Sequence, residues 1–243
     1  CTLCELSGVR EVLGGRVLGG LASGPTELPL ILFLSDTPDP GNGEQPRGER
    51  MGGKPLEILL DICGEMGLGR IGMLTATACR SARTGSYKDG QPVLSKRDGS
   101  RVGFYDPPPK PCLAACRPHL YAEIYRLDPF LLVGLGQKAI EACLNRSFSL
   151  SKSRGQLQHV KIPGRGRLPH LTPQGKWGRK IHGAWSFPTL QNEVTYALLP
   201  THHPRDVQRY LGDKTAGGPF RDFWNDMEMV RRLWEARQQW TGP

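Results

Sequence analysis

Short apolar runs alternate with amphipathic helical segments along most of this chain, and that alternation limits the fold more than any other sequence feature. Predicted strands fall within residues 27–43, 70–79, 129–136 and 193–204, and predicted helices cover 52–69, 116–128, 137–145 and 220–240. Strands that alternate with helices are typical of parallel sheets covered on both faces. The sequence therefore predicts an α/β fold, a three-layer α/β/α sandwich around a central, mostly parallel sheet.

The predicted organisation is a single domain over residues 1–243. Two segments rich in Gly, Pro and charge interrupt the alternation, 81–111 and 148–192, and we expect them to be loop insertions. No apolar run reaches the roughly 20 residues that a membrane-spanning helix needs. No signal peptide is visible, so we expect a cytoplasmic protein, acting as a monomer.

The charge balance favours an acidic partner. The chain has 32 Lys and Arg against 23 Asp and Glu, a formal net charge of +9. In the second insertion, cations are interleaved with Trp177, Trp185 and Phe187, which could stack on unpaired bases while Lys and Arg neutralise phosphates. This pattern favours nucleic-acid binding, although a solvated basic loop would show the same composition.

Polar residues follow three of the predicted strands. Asp36 follows the first strand, Thr75 and Thr77 lie in the second, and His202 with His203 follows the last. In open α/β sheets, ligands bind beyond the carboxyl ends of the strands, so we expect these residues to converge. Asp36 could place a water or stabilise a cation, and His203 could stabilise an anion on a leaving group. A turn-capping Asp and a surface His are the simpler interpretations.

The cysteines divide into two groups. They are Cys1, Cys4, Cys63, Cys79, Cys112, Cys116 and Cys143. An odd number argues against a disulfide framework, and Cys63 and Cys143 lie in apolar helical patterns typical of core residues. For the others, spacing alone leaves an iron–sulfur cluster, a zinc site and unliganded thiols open. Cys116 opens a predicted helix, whereas Cys112 precedes it in a Pro-rich stretch, so Cys116 is the better fourth ligand.

In their order, these segments resemble the iron–sulfur branch of the uracil-DNA glycosylase superfamily, called family 4, with its relative family 5. The matching segments are CTLC (1–4), SDTPDPG (35–41), RMGGKPLEILLD (50–61), LTATACR (74–80), AACRPHL (114–120), LDPFLLVGLGQKAIEACL (127–144) and LLPTHHPRDVQRYLG (198–212). The resemblance covers most of the chain. It implies an enzyme of DNA repair that flips a base out of the helix and hydrolyses its N-glycosidic bond, leaving an abasic site.

The resemblance also implies roles for individual residues. Asp36 would place the water or stabilise the sugar cation, and His203 would hydrogen-bond the leaving base. Pro38 and Gly41 would shape the loop that carries Asp36. Further candidates for contact with the base or the DNA are Ser35, Thr75, His202 and Arg205. The implied cofactor is a [4Fe–4S] cluster on Cys1, Cys4, Cys79 and Cys116, with a structural or DNA-positioning role.

Departures from the family pattern bear on the substrate. Thr75 stands where the family reads uracil with Asn, and Gly48 falls nearest to the family's stacking aromatic. These changes favour a bulkier modified pyrimidine, such as a hypermodified cytosine of phage DNA, which would suit a role in phage defence. Two alternatives stay open: a catalytically silent iron–sulfur DNA-binding protein of the same fold, for which Asp36 in place of the family glutamate speaks, and a zinc-binding nucleic-acid module.

Overall fold

The structure is a computed structural model of the 243-residue chain. It describes residues 21–23, 25, 27–36, 51, 53–76, 87–88, 91–92, 110–163, 179–181, 184–186, 193–208, 210 and 218–239.

Ten strands and six helices lie within the described residues. The strands are β1 (Leu21–Ser23), β2 (Ile31–Ser35), β3 (Ile71–Thr75), β4 (Tyr87–Lys88), β5 (Gln91–Pro92), β6 (Leu131–Leu135), β7 (Gln158–Pro163), β8 (Arg179–Ile181), β9 (Ala184–Ser186) and β10 (Glu193–Thr201). The helices are α1 (Gly53–Glu65), α2 (Lys110–Leu127), α3 (Gln137–Leu144), α4 (Leu150–Ser153), α5 (Pro204–Gln208) and α6 (Pro219–Gln239).

A six-stranded sheet forms the centre of the described structure, in the order β1-β3-β2-β6-β10-β7. The four inner strands β3, β2, β6 and β10 run parallel, while β1 and β7 pair antiparallel at the two edges. The pairs β4–β5 and β8–β9 form two separate short ribbons. The predicted mostly parallel sheet is thereby confirmed.

Helices cover both faces of this sheet, because the inner strands are apolar on both sides. In β2, Ile31 and Phe33 face a cluster formed with α1 and α6, whereas Leu32 and Leu34 face a second cluster formed with α2 and α3. All four side chains are fully buried. The predicted three-layer α/β/α arrangement is confirmed by these two separate cores.

Helix α2 begins at Lys110, six residues before its predicted start, so that Cys112 lies inside the helix rather than in an extended approach to it. Pro111 explains the difference. A proline in the first helical turn costs nothing there, because the first amides of a helix have no intrahelical acceptor. Leu113, Leu120 and Ile124 then bury one face of α2 against the sheet.

Part of the predicted loop 148–192 is a strand of the main sheet. In β7, Val160 and Ile162 are buried and Lys161 is exposed, and the strand pairs with β10 from Gln158 to Pro163. The alternation of apolar and polar residues in QHVKIP carries the period-2 signal of a half-buried strand, hidden within a basic segment.

The closing helix packs as its apolar stripe predicts. Met227, Val230 and Trp234 are buried against α1 and the sheet, with Trp224 and Leu233 partly buried beside them. The Trp234 indole Nε1–H donates to the carbonyl of Pro29 at 3.3 Å, which ties the helix to the chain before β2. The predicted helix α1 is also confirmed, although Leu60 is exposed rather than part of its buried face.

Cys63 and Cys143 are core residues, as predicted. Both are buried, and burial raises the pKa of each thiol to about 12, because a thiolate would lose its hydration. Neither is therefore a reactive thiol at neutral pH.

Two glycine substitutions test the packing against α3. A Cβ on Gly134 in β6 would lie 2.5 Å from Cγ1 of Ile140, whereas a Cβ on Gly64 at the exposed face of α1 meets nothing within 4 Å. We expect Gly134→Ala to lower the free energy of unfolding by about 1–3 kcal/mol through overpacking. Gly64→Ala should raise it by up to about 1 kcal/mol, because Ala favours the helix. Chemical denaturation measures both, and equal stabilities for the two variants would contradict the packing described for β6.

Candidate active site at the carboxyl edge of the sheet

The sheet register brings the predicted polar residues to one edge. Ser35 at the end of β2 pairs with Thr75 at the end of β3, and Leu135 at the end of β6 pairs with Thr201 at the end of β10. Asp36 follows Ser35 directly, and His202 and His203 follow Thr201. The parallel strands therefore place Asp36, Thr75 and the two histidines along the same edge, as the sequence predicted.

One strand separates the two halves of this edge. Strand β6 lies between β2 and β10. Neighbouring strands lie about 4.8 Å apart, so the ends of β2 and β10 are about 10 Å apart. The residue after β6 is Gly136, which presents no side chain between them. Asp36 and His203 thus follow strands on either side of β6, and His203 lies against Gly136 at the end of β6.

Gly136 is required by its backbone and by its neighbour. Its φ of 84° is a conformation that L side chains rarely adopt, and a Cβ there would lie 3.3 Å from Cβ of His203. Its amide donates to the carbonyl of Thr201 at 2.9 Å. Gly136 therefore joins the end of β6 to the start of the histidine segment.

The hydrogen bond to His203 fixes which nitrogen of its ring is a donor. His203 is buried, at 8% exposure, and its Nδ1 accepts a hydrogen bond from the backbone amide of Arg205 at 3.1 Å. A nitrogen that accepts from an amide carries no proton, so the neutral ring carries its proton on Nε2. The carbonyl of His203 accepts from the amides of Asp206 and Val207 at the start of α5. The strand end thus presents the buried ring of His203 with Nδ1 occupied, and Nε2 carries the proton whenever the ring is neutral.

A buried carboxylate, missed by sequence reasoning, supports the end of β10. Asp226 on α6 is 4% exposed, and its Oδ2 accepts a hydrogen bond from Oγ1 of Thr201 at 2.7 Å. Its Oδ1 pairs with Nη1 of Arg154 at 2.7 Å. Gly155 leaves room for this contact because it has no Cβ, which would lie 2.8 Å from Asp226 Oδ1. Its φ of 69° is a second reason for a glycine at this position.

Arg154 extends the network to the first histidine. It pairs through Nη2 with Oδ1 of Asp222 at 3.0 Å, and Asp222 Oδ2 lies 3.5 Å from Nε2 of His202. The side chain of His202 is therefore directed towards α6. The signal for this network was an acid, Asp226, on the apolar stripe of the closing helix, where carboxylates are rare unless paired.

The pKa of Asp226 reflects the cost of this burial. Loss of hydration raises the pKa above the usual range of Asp, and the hydrogen bonds from Thr201 and Arg154 offset only part of that rise. The hydrogen bonds from these two partners stabilise the ionised carboxylate.

On the other half of the edge, Ser35 has an unusual hydroxyl. It is 1% exposed, and its Oγ has no hydrogen-bond partner, alone among the buried side-chain polar atoms of the described residues. Strand alternation puts Ser35, Thr75 and Thr201 on the α1–α6 face of the sheet, since Phe33, Met73 and Leu199 pack on that face. Asp36, the residue after Ser35, is half-buried.

Of the predicted cluster ligands, the structure describes Cys116, which is buried at 1% exposure on α2. Cys1, Cys4 and Cys79 lie outside the described residues, as do Pro38 and Gly41 of the predicted loop. Within the described ranges, no three His, Cys, Asp or Glu residues are grouped so that they could hold a metal ion. None of the described helices is long and apolar enough to cross a membrane.

Four parallel strands, three of which end in polar residues along one edge, define an α/β protein with its ligand site at the carboxyl edge of the sheet. The family model of the uracil DNA glycosylase superfamily matches residues 24–228, and the chain belongs to this superfamily. A search of curated proteins found no match to the chain. Members of the superfamily are generally DNA glycosylases, and they bind DNA.

Thr201→Val tests the buried network. Valine keeps the shape of Thr201 but leaves one oxygen of the Asp226 carboxylate without its donor, which should lower the free energy of unfolding by about 1–3 kcal/mol at pH 7. The loss should shrink as the pH falls through the raised pKa of Asp226, because the donor stabilises the ionised form. Denaturation curves at several pH values measure this. Equal free energies of unfolding for wild type and Thr201→Val at pH 7 would contradict the described contact.

Proposed function

We propose that this chain is a DNA glycosylase that hydrolyses the N-glycosidic bond of a flipped uracil or modified pyrimidine and leaves an abasic site. Membership of the uracil DNA glycosylase superfamily supports the reaction class. The observation that carries the proposal is the ring of His203, buried at the strand end with its Nδ1 occupied by the amide of Arg205.

The proposed chemistry needs two groups on opposite sides of the sugar–base bond. When the bond between C1′ and the base nitrogen breaks, the base leaves with the bonding electrons and the sugar becomes cationic. His203 Nε2–H would donate a hydrogen bond to an oxygen of the anionic base, which lowers the energy of that anion in a water-poor site. A neutral donor suits this role, because it stabilises the anion without having to transfer its proton.

Asp36 would act on the sugar. Its carboxylate would stabilise the developing positive charge or orient the water that attacks C1′. The water adds its oxygen to C1′ and gives up a proton, and the base anion takes a proton from the solvent. Asp36 and His203 follow strands on either side of β6 at the same edge of the sheet, so both would act on one nucleoside bound at that edge.

We further propose that the base is larger than uracil. Thr75 lies at the strand end where the family pattern has the Asn that reads uracil, and it is buried beside the strand of Asp36. A hypermodified cytosine of phage DNA fits such a change, and a role in phage defence would follow. The competing proposal is a silent DNA-binding protein, which the shorter carboxylate of Asp36 favours.

His203→Ala and His203→Gln test the role of the ring. Alanine removes the Nε2–H donor and should lower the single-turnover rate of base release by about 10²–10³-fold. Glutamine can place an amide N–H near the position of Nε2, so it should retain more activity than alanine. Release of the base is measured by mass spectrometry at saturating enzyme. Equal rates for wild type and His203→Ala would contradict the proposed role.

Asp36→Asn separates the two proposals. A glycosylase should lose most of its base release on this change while it still binds DNA. A silent binding protein would release no base even as wild type. It should bind DNA that contains the target base and DNA that lacks it equally well.

We also propose that Cys1, Cys4, Cys79 and Cys116 hold a [4Fe–4S] cluster, because four thiolates are its usual ligands. The cluster would be structural or would position DNA. The burial of Cys116 at the inner face of α2 is compatible with a ligand shielded from water.

Cys116→Ser should abolish the broad visible absorbance of the purified protein and its content of iron and sulfide. Cys143→Ser is the matched control, since Cys143 is equally buried but packs within the core between α3 and the sheet. It should leave absorbance and iron unchanged. A colourless wild-type protein that contains zinc would contradict the cluster.

A further inference from the structure

A cavity of about 310 Å³ opens between α2 and α3, on the side of the sheet opposite to α6. Three cations line it: Lys110 at the start of α2, Arg117 about two helical turns further on, and Arg146 just after α3. Leu113 and Ala114 supply the apolar part of the wall. The cavity combines a defined volume with a concentration of positive charge.

Among the described residues, no carboxylate forms an ion pair with Arg117 or Arg146. Arg117 donates through Nε to the carbonyl of Ala142 at 3.0 Å, and Arg146 donates through Nη2 to Oε1 of Gln158 at 3.1 Å. Both acceptors are uncharged oxygens. The contacts therefore fix the two guanidinium groups in place without reducing their charge.

The one carboxylate of the lining, Glu141, has its own cation. It pairs with Lys138 at 2.8 Å and accepts from Gln137 at 2.9 Å. Burial works against its ionisation, but these hydrogen bonds outweigh burial and lower the pKa of Glu141. Since Lys138 offsets the charge of Glu141, the three lining cations remain in excess.

The cavity lies in the layer that flanks the candidate site. Helix α2 ends at Leu127, close to the start of β6 at the amino edge of the sheet. The helix is about 27 Å long, so its other end, at Lys110, lies towards the carboxyl edge. Arg146 contacts Gln158, whose partner in β10 is Leu198, three residues before Thr201. Leu198 in turn pairs with Leu132 near the start of β6, so Arg146 lies further from the carboxyl edge than Lys110 does.

We propose that this cavity binds a phosphate of the DNA backbone. The inference rests on the proposed function, because it assumes that DNA lies across the carboxyl edge. Arginine guanidinium groups bind phosphate oxygens through paired hydrogen bonds, and a lysine adds a point charge. The exposed Asn145 and Ser147 of the lining add uncharged hydrogen-bond donors.

The test is the salt dependence of DNA binding by the full chain. Each phosphate contact on duplex DNA contributes about 0.9 to the slope of log K against log salt concentration. We expect Lys110→Gln and Arg146→Gln each to reduce the slope for a short duplex by about 0.9, with weaker binding at low salt. Fluorescence anisotropy over about 50–200 mM salt measures it.

Arg126→Gln is the matched control. Arg126 lies on the same helix at the opposite end, with a side chain 60% exposed and paired with Glu123 at 2.7 Å. It should leave the slope of the wild type unchanged. The single-turnover rate of base release at saturating DNA should also be unaffected in Arg126→Gln, because Asp36, His203 and the cavity are untouched.

The outcomes separate this inference from the proposed function. Slopes for Lys110→Gln and Arg146→Gln equal to that of the wild type overturn the phosphate site, whether or not a base is released. Reduced slopes without any base release support the site and count against the glycosylase. If inorganic phosphate raises the melting temperature of wild type but not of Arg146→Gln while the DNA slopes stay equal, the cavity holds small phosphates and the DNA proposal is overturned.

Discussion

The candidate site depends on one buried interaction, the carboxylate of Asp226 between Thr201 and Arg154. A carboxylate that is 4% exposed would be costly without partners, and here both oxygens have one. The three residues come from α6, from the end of β10 and from the turn before β7, so the contact locks the last strand to the closing helix. The strand end that it fixes is the one from which His202 and His203 emerge.

Two backbone contacts next to this junction position His203. Gly136 approaches it from β6, where no side chain would fit, and the amide of Arg205 fixes its ring from the other side. A side chain held by two backbone segments needs little reorganisation when charge develops nearby, which is the condition for electrostatic stabilisation of a leaving group. Asp36 follows β2 on the other side of β6, and the residues of β2 and β6 that pair from Ile31 to Phe33 are fully buried.

The sequence predicted the parts of the structure that leave a local pattern. The apolar runs of β2, β6 and β10 and the stripe on α6 are such patterns, and together they predicted the layers and the polar edge. Strand β7 was missed because its alternation lies inside a basic segment, and the early start of α2 was missed because Pro111 suggests a loop. The Arg154–Asp226 contact joins residues 72 positions apart in sequence, so only the folded chain could reveal it.

The central claim is that this member of the superfamily releases a base from DNA, and the most direct measurement is mass spectrometry of free bases. The panel would contain uracil-containing DNA, unmodified DNA and phage DNAs with hypermodified pyrimidines, each incubated with wild type and with His203→Ala. The account predicts release of one modified pyrimidine by wild type and almost none by the variant. Efficient release of ordinary uracil would contradict the proposal that the substrate base is larger than uracil. No base from any DNA, with binding intact, would contradict the glycosylase itself.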